Sequence, residues 1–450
     1  MEKKQSKNYS IRRPSDPRDT ALYILLNVNG NGRKANVFLR ETLDRASEME
    51  KKDMALCEYL TQGTLNYLYA IDSVIGKYSK TPVSGLNPVI REILRLSVFQ
   101  LLYADRVPDH AAINEAVSLA KIHGLTGLSG YVNGVLRSIA KAKEQGEPST
   151  EKDPASFKRL FKEGPVRWSV PVWLYKKFVS DFGAGGAESI FASWLALRKT
   201  SVRFNLSKAA EADILHSIEA EGIRAEKILD DLAVYELEGL SGSGVASLSA
   251  FREGLITVQD ASAAMTGCFA LPRKGDHIVD LCAAPGGKSL LMADLCGNEC
   301  TIDSRDISEE KIALIRENAE RCGFDSIRTK VADASLEDRS LIEKADIVIA
   351  DLPCSGLGVV AKKPDIKKNI TPESIQELSV LQRKILKNAA EYVRPGGKLI
   401  YSTCTVTKEE NENNAFWAAE TLGLKLTDMK RIMPDAHHDG FFIAGFTKIG

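Results

Sequence analysis

Asp280-Leu-Cys-Ala-Ala-Pro-Gly-Gly-Lys288-Ser289 stands between two runs of different periodicity. Before it, His277-Ile-Val-Asp-Leu281 is a short apolar run that reads as a buried strand; after it, Leu290-Leu-Met-Ala-Asp-Leu295 reads as a helix. Strand, tight Gly-rich turn and helix together open a nucleotide-binding α/β unit. Gly286 and Gly287 carry no Cβ, so the backbone can bend sharply and approach a ligand closely. The free N–H groups of the new helix then point at that ligand. The turn lacks the G-x-G-x-x-G of a dinucleotide site. Gly287-Lys288-Ser289 supplies the second half of a P-loop, but Cys282 stands where its first Gly belongs. Asp306 lies about 20 residues on, at the end of the next candidate strand, where a carboxylate can accept hydrogen bonds from ribose hydroxyls. An adenosyl ligand without a pyrophosphate fits these facts, and S-adenosylmethionine is the common one.

Outward from this turn, strands and helices alternate from Gly275 to the C-terminus. Ile278–Leu281, Thr301–Asp306, Ile327–Val331, Asp346–Ala350 and Lys398–Ser402 are candidate strands. Ser308 can cap a helix that starts at Glu309. Thr371 followed by Pro372 marks another helix start, and that helix runs to about Val393. The alternation predicts a mainly parallel, doubly wound, Rossmann-like sheet with its ligands at the C-terminal ends of the strands.

The preceding 256 residues read differently. From about Asp19 to Lys143 the apolar spacing is helical throughout, punctuated by Pro88, Pro108 and several glycines. The first 149 residues hold 21 Lys+Arg against 16 Asp+Glu. Arg12, Arg13, Arg18, Arg33, Lys34 and Arg40 cluster early, as a solvated helical face or a phosphate-contacting one would. Lys141 to Asp153 is polar, with Gly146, Pro148 and Ser149, and reads as a linker. Strand-like Ser201–Asn205, a helix from Ala209 to Glu221 and a strand near Ala233–Leu237 suggest a small α+β module. Gly239-Leu-Ser-Gly-Ser-Gly244 is a loop. Three parts are expected: a helical domain over residues 1–145, a linker with the α+β module over 146–256, and the α/β domain over 257–450.

The whole chain of 450 residues has 60 Lys+Arg and 60 Asp+Glu, so it is no polybasic binder, although a local basic face is compatible with that balance. Its eight cysteines form no C-x-x-C pair, and Cys296 and Cys300 have no second pair or His cluster beside them, so no metal site is expected. No signal peptide or membrane-length apolar run is present. A monomer in a reducing cytoplasm, where free thiols survive, is the expectation.

The chemistry-bearing residues fall at strand ends: Asp306, Asp333, Asp351 with Asp351-Leu-Pro-Cys354-Ser-Gly-Leu-Gly358, and Ser402-Thr-Cys404-Thr. On one rim, two cysteines and three aspartates should converge. A thiol beside a methyl donor suits methylation at C5 of a pyrimidine, a poor nucleophile until a thiolate adds to C6 and makes C5 enamine-like. A protonated carboxyl could stabilise charge at N3, and a base must later remove the C5 proton.

These motifs, with Val258-Gln-Asp260, Lys363-Pro-Asp365-Ile-Lys and Asp439-Gly-Phe-Phe442, resemble those of the NOL1/NOP2/Sun RNA cytosine-5 methyltransferases. Leu94 to His110, Asn114-Glu-Ala116 and Val132-Asn-Gly-Val-Leu-Arg137 resemble the NusB-like domain of that family's RsmB branch, which methylates a cytosine of 16S ribosomal RNA. The resemblance implies that Cys404 is the nucleophile at C6, that Cys354 assists product release, and that Asp351 contacts the cytosine and lines the cofactor pocket. It implies that Cys282, Ala283, Ala284, Pro285, Gly286, Gly287 and Lys288 wrap the methionine and sugar parts of S-adenosylmethionine, that Asp306 holds the ribose, and that Asp333 sits near the adenine amino group. The helical domain and middle module would grip RNA, and the target base must be unstacked or single-stranded. Three departures stand out: Leu352 follows Asp351 where a small residue is usual, Asp303-Ser-Arg305 makes one strand unusually polar, and Lys362-Lys363 replaces an Arg-rich pair. The alternatives are action on another RNA such as tRNA, a non-catalytic RNA-binding factor, and, more remotely, a P-loop nucleotide hydrolase.

Overall fold

A computed structural model describes residues 9–46, 48–104, 107–144, 164–196, 198–240 and 244–450. Most of the expected linker, Gly146, Pro148 and Ser149 included, lies outside the described residues, as do positions 105, 106 and 241–243. The chain forms two compact units.

The first unit comprises the residues up to Ala196 together with Val360–Asn369. It contains α1 (Pro17–Asn31), α2 (Ala35–Asp44), α3 (Lys51–Asn66), α4 (Leu68–Tyr78), α5 (Pro88–Tyr103), α6 (Asp109–Ile122) and α7 (Thr126–Glu144). The starts follow local sequence. Asp16 and Asn87 cap α1 and α5 through their side chains, and each is followed by Pro at the first helical position. α5 is buried along most of its length, and Leu22, Leu25, Leu60, Leu94 and Leu136 share its core. Several early basic residues have partners: Arg13 pairs with Asp16 and Glu115, Arg18 Nε donates to Gln100, and the exposed Arg40 pairs with Asp44 at 3.7 Å.

Val360–Asn369 belongs to this unit because it closes the ends of three helices. Asp365 Oδ2 accepts from the N–H of Ala35 at the start of α2. Lys367 Nζ donates to the carbonyl of Asn66 at the end of α3, at 2.6 Å. Lys368 Nζ donates to the carbonyl of Asn29 in the last turn of α1, at 2.8 Å. Each charge matches the helix end it meets. Burial lowers the Lys367 pKa to about 7 and that of Lys368 to about 8, from 10.5. Above those values the folded chain has lost protons that the unfolded chain keeps until about 10.5, so these groups make stability rise with pH across that window. The urea midpoint is expected to rise between about pH 7 and pH 9, and that rise should shrink in the Lys367→Gln/Lys368→Gln double variant, which keeps N–H donors without the titration. Equal slopes in the two proteins would contradict it.

The second unit holds two sheets. The smaller has the order β2-β3-β1-β4, with β1 (Thr200–Phe204), β2 (Arg224–Leu229), β3 (Val234–Glu238) and β4 (Ile256–Val258), all antiparallel. Phe204 stacks on Tyr235 across β1 and β3, at 4.2 Å between centroids. This module packs into the same unit as the larger sheet. Buried Arg203 of β1 reaches Asp294 at 2.6 Å and also donates to Gln259.

The larger sheet has the order β10-β11-β9-β8-β5-β6-β7. Its strands are β5 (His277–Leu281), β6 (Thr301–Asp306), β7 (Ile327–Val331), β8 (Ala345–Asp351), β9 (Val393–Thr403), β10 (Leu424–Ile432) and β11 (Phe441–Lys448). The five expected strands are parallel neighbours, and β11 adds antiparallel to β9 and β10. β5 pairs with β6 on one side and β8 on the other, so the order reverses at its C-terminal end, where such sheets hold ligands. Alternate residues face two cores: Val279, Val348 and Tyr401 meet the helix Pro372–Tyr392, while Ile278, Ile347 and Ile400 face the helix Gly287–Leu295. The polar β6 is satisfied internally, because Arg305 pairs with Asp303 and Asp338 at 2.5 and 2.7 Å.

Candidate active site

Cys282 leaves β5 at a positive φ of 61°, and Gly286 has a φ of 104° just before the helix Gly287–Leu295. A Cβ on Gly286 would be strained by that φ, although its nearest neighbour, Ile315, lies at ordinary contact distance. The turn is fixed from the next strand. Ala283 N donates to the carbonyl of Arg305 at 2.8 Å, and Ala284 N to Asp306 Oδ2 at 3.0 Å. The other Asp306 oxygen accepts from Ile307 N and Lys311 Nζ at 2.7 and 2.8 Å. Asp306 is therefore in part a strut for the turn, a task that spacing alone did not reveal.

Beneath the turn, Asp280 is fully buried. Its Oδ2 accepts from Ser289 Oγ at 2.5 Å, and its Oδ1 has no hydrogen-bond partner. Burial raises its pKa to about 7 despite the Ser289 bond and nearby Lys288, and the charges of Asp351 and Asp306 add to the rise. Asp333 lies past the end of β7 and accepts from Ser335 N at 2.9 Å. With Leu281, Arg305, Leu336 and Tyr392 it lines a cavity of about 250 Å³.

Asp351 ends β8, directly opposite Ser402 of β9. Ser402 Oγ donates to its Oδ1 at 2.8 Å, and Lys288 Nζ reaches its Oδ2 at 2.6 Å. The same ammonium lies 5.2 Å from the ring centroid of Phe441, so the Asp439-Gly-Phe-Phe442 motif supplies a wall of this corner. From the paired ends of β8 and β9, Cys354 lies three residues beyond Asp351 and Cys404 two beyond Ser402. Their sulfurs are 3.3 Å apart. The hydrogen bond between the two thiols, followed by burial, pushes the Cys354 pKa well above its ordinary value, so Cys354 keeps its proton. Leu352, the departure noted in sequence, is buried in the core beside β8.

The structure thus brings Asp351, Cys354, Cys404 and Lys288 together, with Cys282–Gly287, Asp306 and Asp333 along the same rim. Sequence reasoning missed Ser355, Glu410 and Asn411, which hold the thiol loops. Ser355 stood within the Cys354 motif without a role, and the only signal of Glu410 and Asn411 is the polar run after the Thr403-Cys404 pair. Among the described residues, no group of His, Cys, Asp or Glu is placed to hold a metal ion, and no helix is long and apolar enough to cross a membrane.

Comparison with known proteins follows the same division. Residues 15–141 match the NusB family, and residues 268–447 match the family described as 16S rRNA methyltransferase RsmB/F. The "Probable ribosomal RNA small subunit methyltransferase B" of Bacillus subtilis (strain 168) is 35% identical over 396 residues, 88% of this chain and 86% of that one. The chain belongs to the RsmB family of small-subunit ribosomal RNA methyltransferases. The ribosomal RNA small subunit methyltransferase B of Salmonella arizonae, 31% identical, covers 88% of this RsmB-family chain and 91% of its own. A crystal structure of PH0851 superimposes with a TM-score of 0.79 at 25% identity, over 98% of this chain and all of that one. The α/β fold with a NusB-like helical region is that of the RsmB family.

Proposed function

We propose that this protein transfers a methyl group from S-adenosylmethionine to C5 of a cytosine in 16S rRNA, through a covalent bond between Cys404 and C6. The observation that carries the reading is the 3.3 Å approach of Cys354 and Cys404 at the ends of adjacent parallel strands, beside the Lys288–Asp351 pair. A single structural cysteine would need no partner there.

The residues at the end of β5 fit the cofactor. Its sulfonium and ammonium are cationic, and the rim offers Asp306 and Asp351 above the buried Asp280, whose Oδ1 is unpartnered. The N–H groups of the Gly286-Gly287 turn suit its carboxylate, and the Asp333 cavity is the place for its adenine. Once bound, S-adenosylmethionine supplies an electrophilic methyl group. Asp306 supports this cradle, so Asp306→Ala should weaken cofactor binding by about tenfold or more in a calorimetric titration, as loss of charge-assisted hydrogen bonds does. Unchanged affinity would remove Asp306 from the site.

The protein's part in the reaction is nucleophilic and electrostatic. Cys404 gives its proton to solvent and attacks C6 as a thiolate, and the C5=C6 electron pair becomes available at C5 for the methyl group. Asp351, in reach of the thiols and held by Ser402 and Lys288, orients the ring through a polar edge. After transfer, Cys404 is a thioether and no longer exchanges a proton or charge with Cys354, which removes the leading cause of the raised Cys354 pKa. Cys354 then gives its proton to solvent and as thiolate takes the C5 proton, the C5–H pair re-forms C5=C6, and the C6–S pair returns to Cys404 as its thiolate. The helical unit and the β1–β4 module supply RNA contacts, and the exposed Arg40, in a long pair with Asp44, is among the basic side chains that face solvent. Labelled methyl transfer to unmethylated 16S rRNA tests the assignment, and transfer to tRNA alone would overturn the substrate while keeping the chemistry.

A further inference from the structure

The loops that carry Cys354 and Cys404 are tied together one residue beyond each thiol. Ser355 Oγ and Thr405 Oγ1 are 2.7 Å apart. Both loops are gripped from one dipeptide, Glu410-Asn411, fully buried just before the helix Glu412–Thr421. Glu410 accepts from Ser355 N at 2.8 Å, Ser355 Oγ at 2.6 Å, Thr407 Oγ1 at 2.7 Å and Gln382 Nε2 at 3.1 Å. Asn411 Oδ1 accepts from Thr403 Oγ1 at 2.5 Å, and its Nδ2 donates to the carbonyl of Thr405 at 3.0 Å. Glu410 therefore holds the residue after Cys354, and Asn411 holds the residues on both sides of Cys404. On the backbone, Gly358 N donates to the Cys404 carbonyl at 3.0 Å, and Gly440 N to the Gly358 carbonyl at 2.9 Å.

A buried carboxylate is costly unless its oxygens are satisfied, and an apolar side chain would fill the same volume at less expense. Three of the four Glu410 bonds go to the two thiol loops. We infer that Glu410 and Asn411 are positioning residues that fix the distance between the two thiols through the Ser355–Thr405 contact, and that release of the methylated base depends on that distance. The inference rests on the two-thiol reading above. Attack at C6 needs Cys404 alone. Release needs both sulfurs on one base: Cys354 takes the C5 proton while the C6–S bond breaks back to Cys404. A loosened latch leaves the first step and slows the second.

The test uses the full chain with 16S rRNA and S-adenosylmethionine. Ser355→Ala and Glu410→Gln are compared with wild type and Cys354→Ala. Methyl incorporation in a single turnover should stay within about threefold of wild type in the two latch variants, while the fraction of protein trapped as an SDS-stable RNA adduct rises about tenfold and steady-state turnover falls. A merely structural role would lower both steps together. An adduct fraction at the wild-type level in both latch variants, with adduct still accumulating in Cys354→Ala, overturns the latch and leaves the two-thiol reading standing. No adduct in Cys354→Ala overturns the reading itself and the latch with it. A second readout needs no RNA: bridging of Cys354 to Cys404 by dibromobimane, mapped by peptide mass, should fall about fivefold in Ser355→Ala, as expected when a reactive pair loses its orientation. Undiminished bridging contradicts the inference even if Glu410→Gln fails to fold.

Discussion

Cys404→Ala is expected to lower methyl transfer by at least about 10³-fold, equivalent to roughly 4 kcal/mol or more of barrier, and to abolish any covalent RNA adduct. The argument is chemical. C5 of cytosine is a poor nucleophile, and no group in this site other than a thiolate at C6 can make it enamine-like. Lys288 and Asp351 are paired with each other at 2.6 Å and Asp280 lies beneath the turn, so none of them substitutes as a carbon nucleophile. Cys404 is half-buried beyond the end of β9, where its neighbours Thr403 and Thr405 are held by Asn411, so removal of one sulfur should leave the fold intact. A thermal midpoint close to wild type alongside labelled-methyl incorporation separates chemistry from stability. Incorporation within about tenfold of wild type would contradict the nucleophile assignment, because loss of covalent catalysis costs more than that.

Cys354→Ala should have the opposite signature: an RNA–protein adduct that survives denaturing gel electrophoresis, with multiple turnover reduced by about 10²-fold, as for loss of general base catalysis. The sulfurs are 3.3 Å apart, so a base carried on Cys404 lies within reach of Cys354. On the proposed mechanism attack does not use Cys354, and release does. The hydrogen bond to Cys404 and burial push the Cys354 pKa up, so the proposed mechanism gives Cys354 the part of base at release and not of attacking nucleophile. The double variant Cys354→Ala/Cys404→Ala should show no adduct. An adduct in the double variant, or none in Cys354→Ala, would reverse or dissolve the division of labour.

Much of the fold was legible because its signals are local. The strand–turn–helix around Gly286 and the capped helix at Thr371 need only neighbouring residues, and both stand where the sequence put them. The parallel sheet followed from alternation alone. Four strands escaped: β2 is a charged edge strand, β4 has three residues, β10 has its alternation broken by a bulge between Leu426 and Asp428, and β11 is a continuous buried run of which only the start stood out in sequence, as part of a motif. Val360–Asn369 could not be assigned to the helical unit from sequence, since what places it there is the meeting of Asp365 and Lys367 with helix ends some 300 residues away in the chain. At the site, chemistry-bearing types at strand ends identified Asp351, Cys354 and Cys404. The supports did not announce themselves, because Ser355, Glu410 and Asn411 look like ordinary loop polarity until their buried hydrogen bonds are seen. Asp306 shows the converse, a residue named for a ligand that also braces the turn through Ala284.

The central claim is the identity of the modified atom, and nucleoside mass spectrometry with bisulfite mapping of 16S rRNA after reaction with labelled S-adenosylmethionine tests it most directly. One 5-methylcytidine at a single position, made by the wild-type protein and absent with Cys404→Ala, is the predicted result. A methyl group on a ribose hydroxyl, on an exocyclic nitrogen, or on a base other than cytosine would contradict it, since none of those products needs a thiolate at C6.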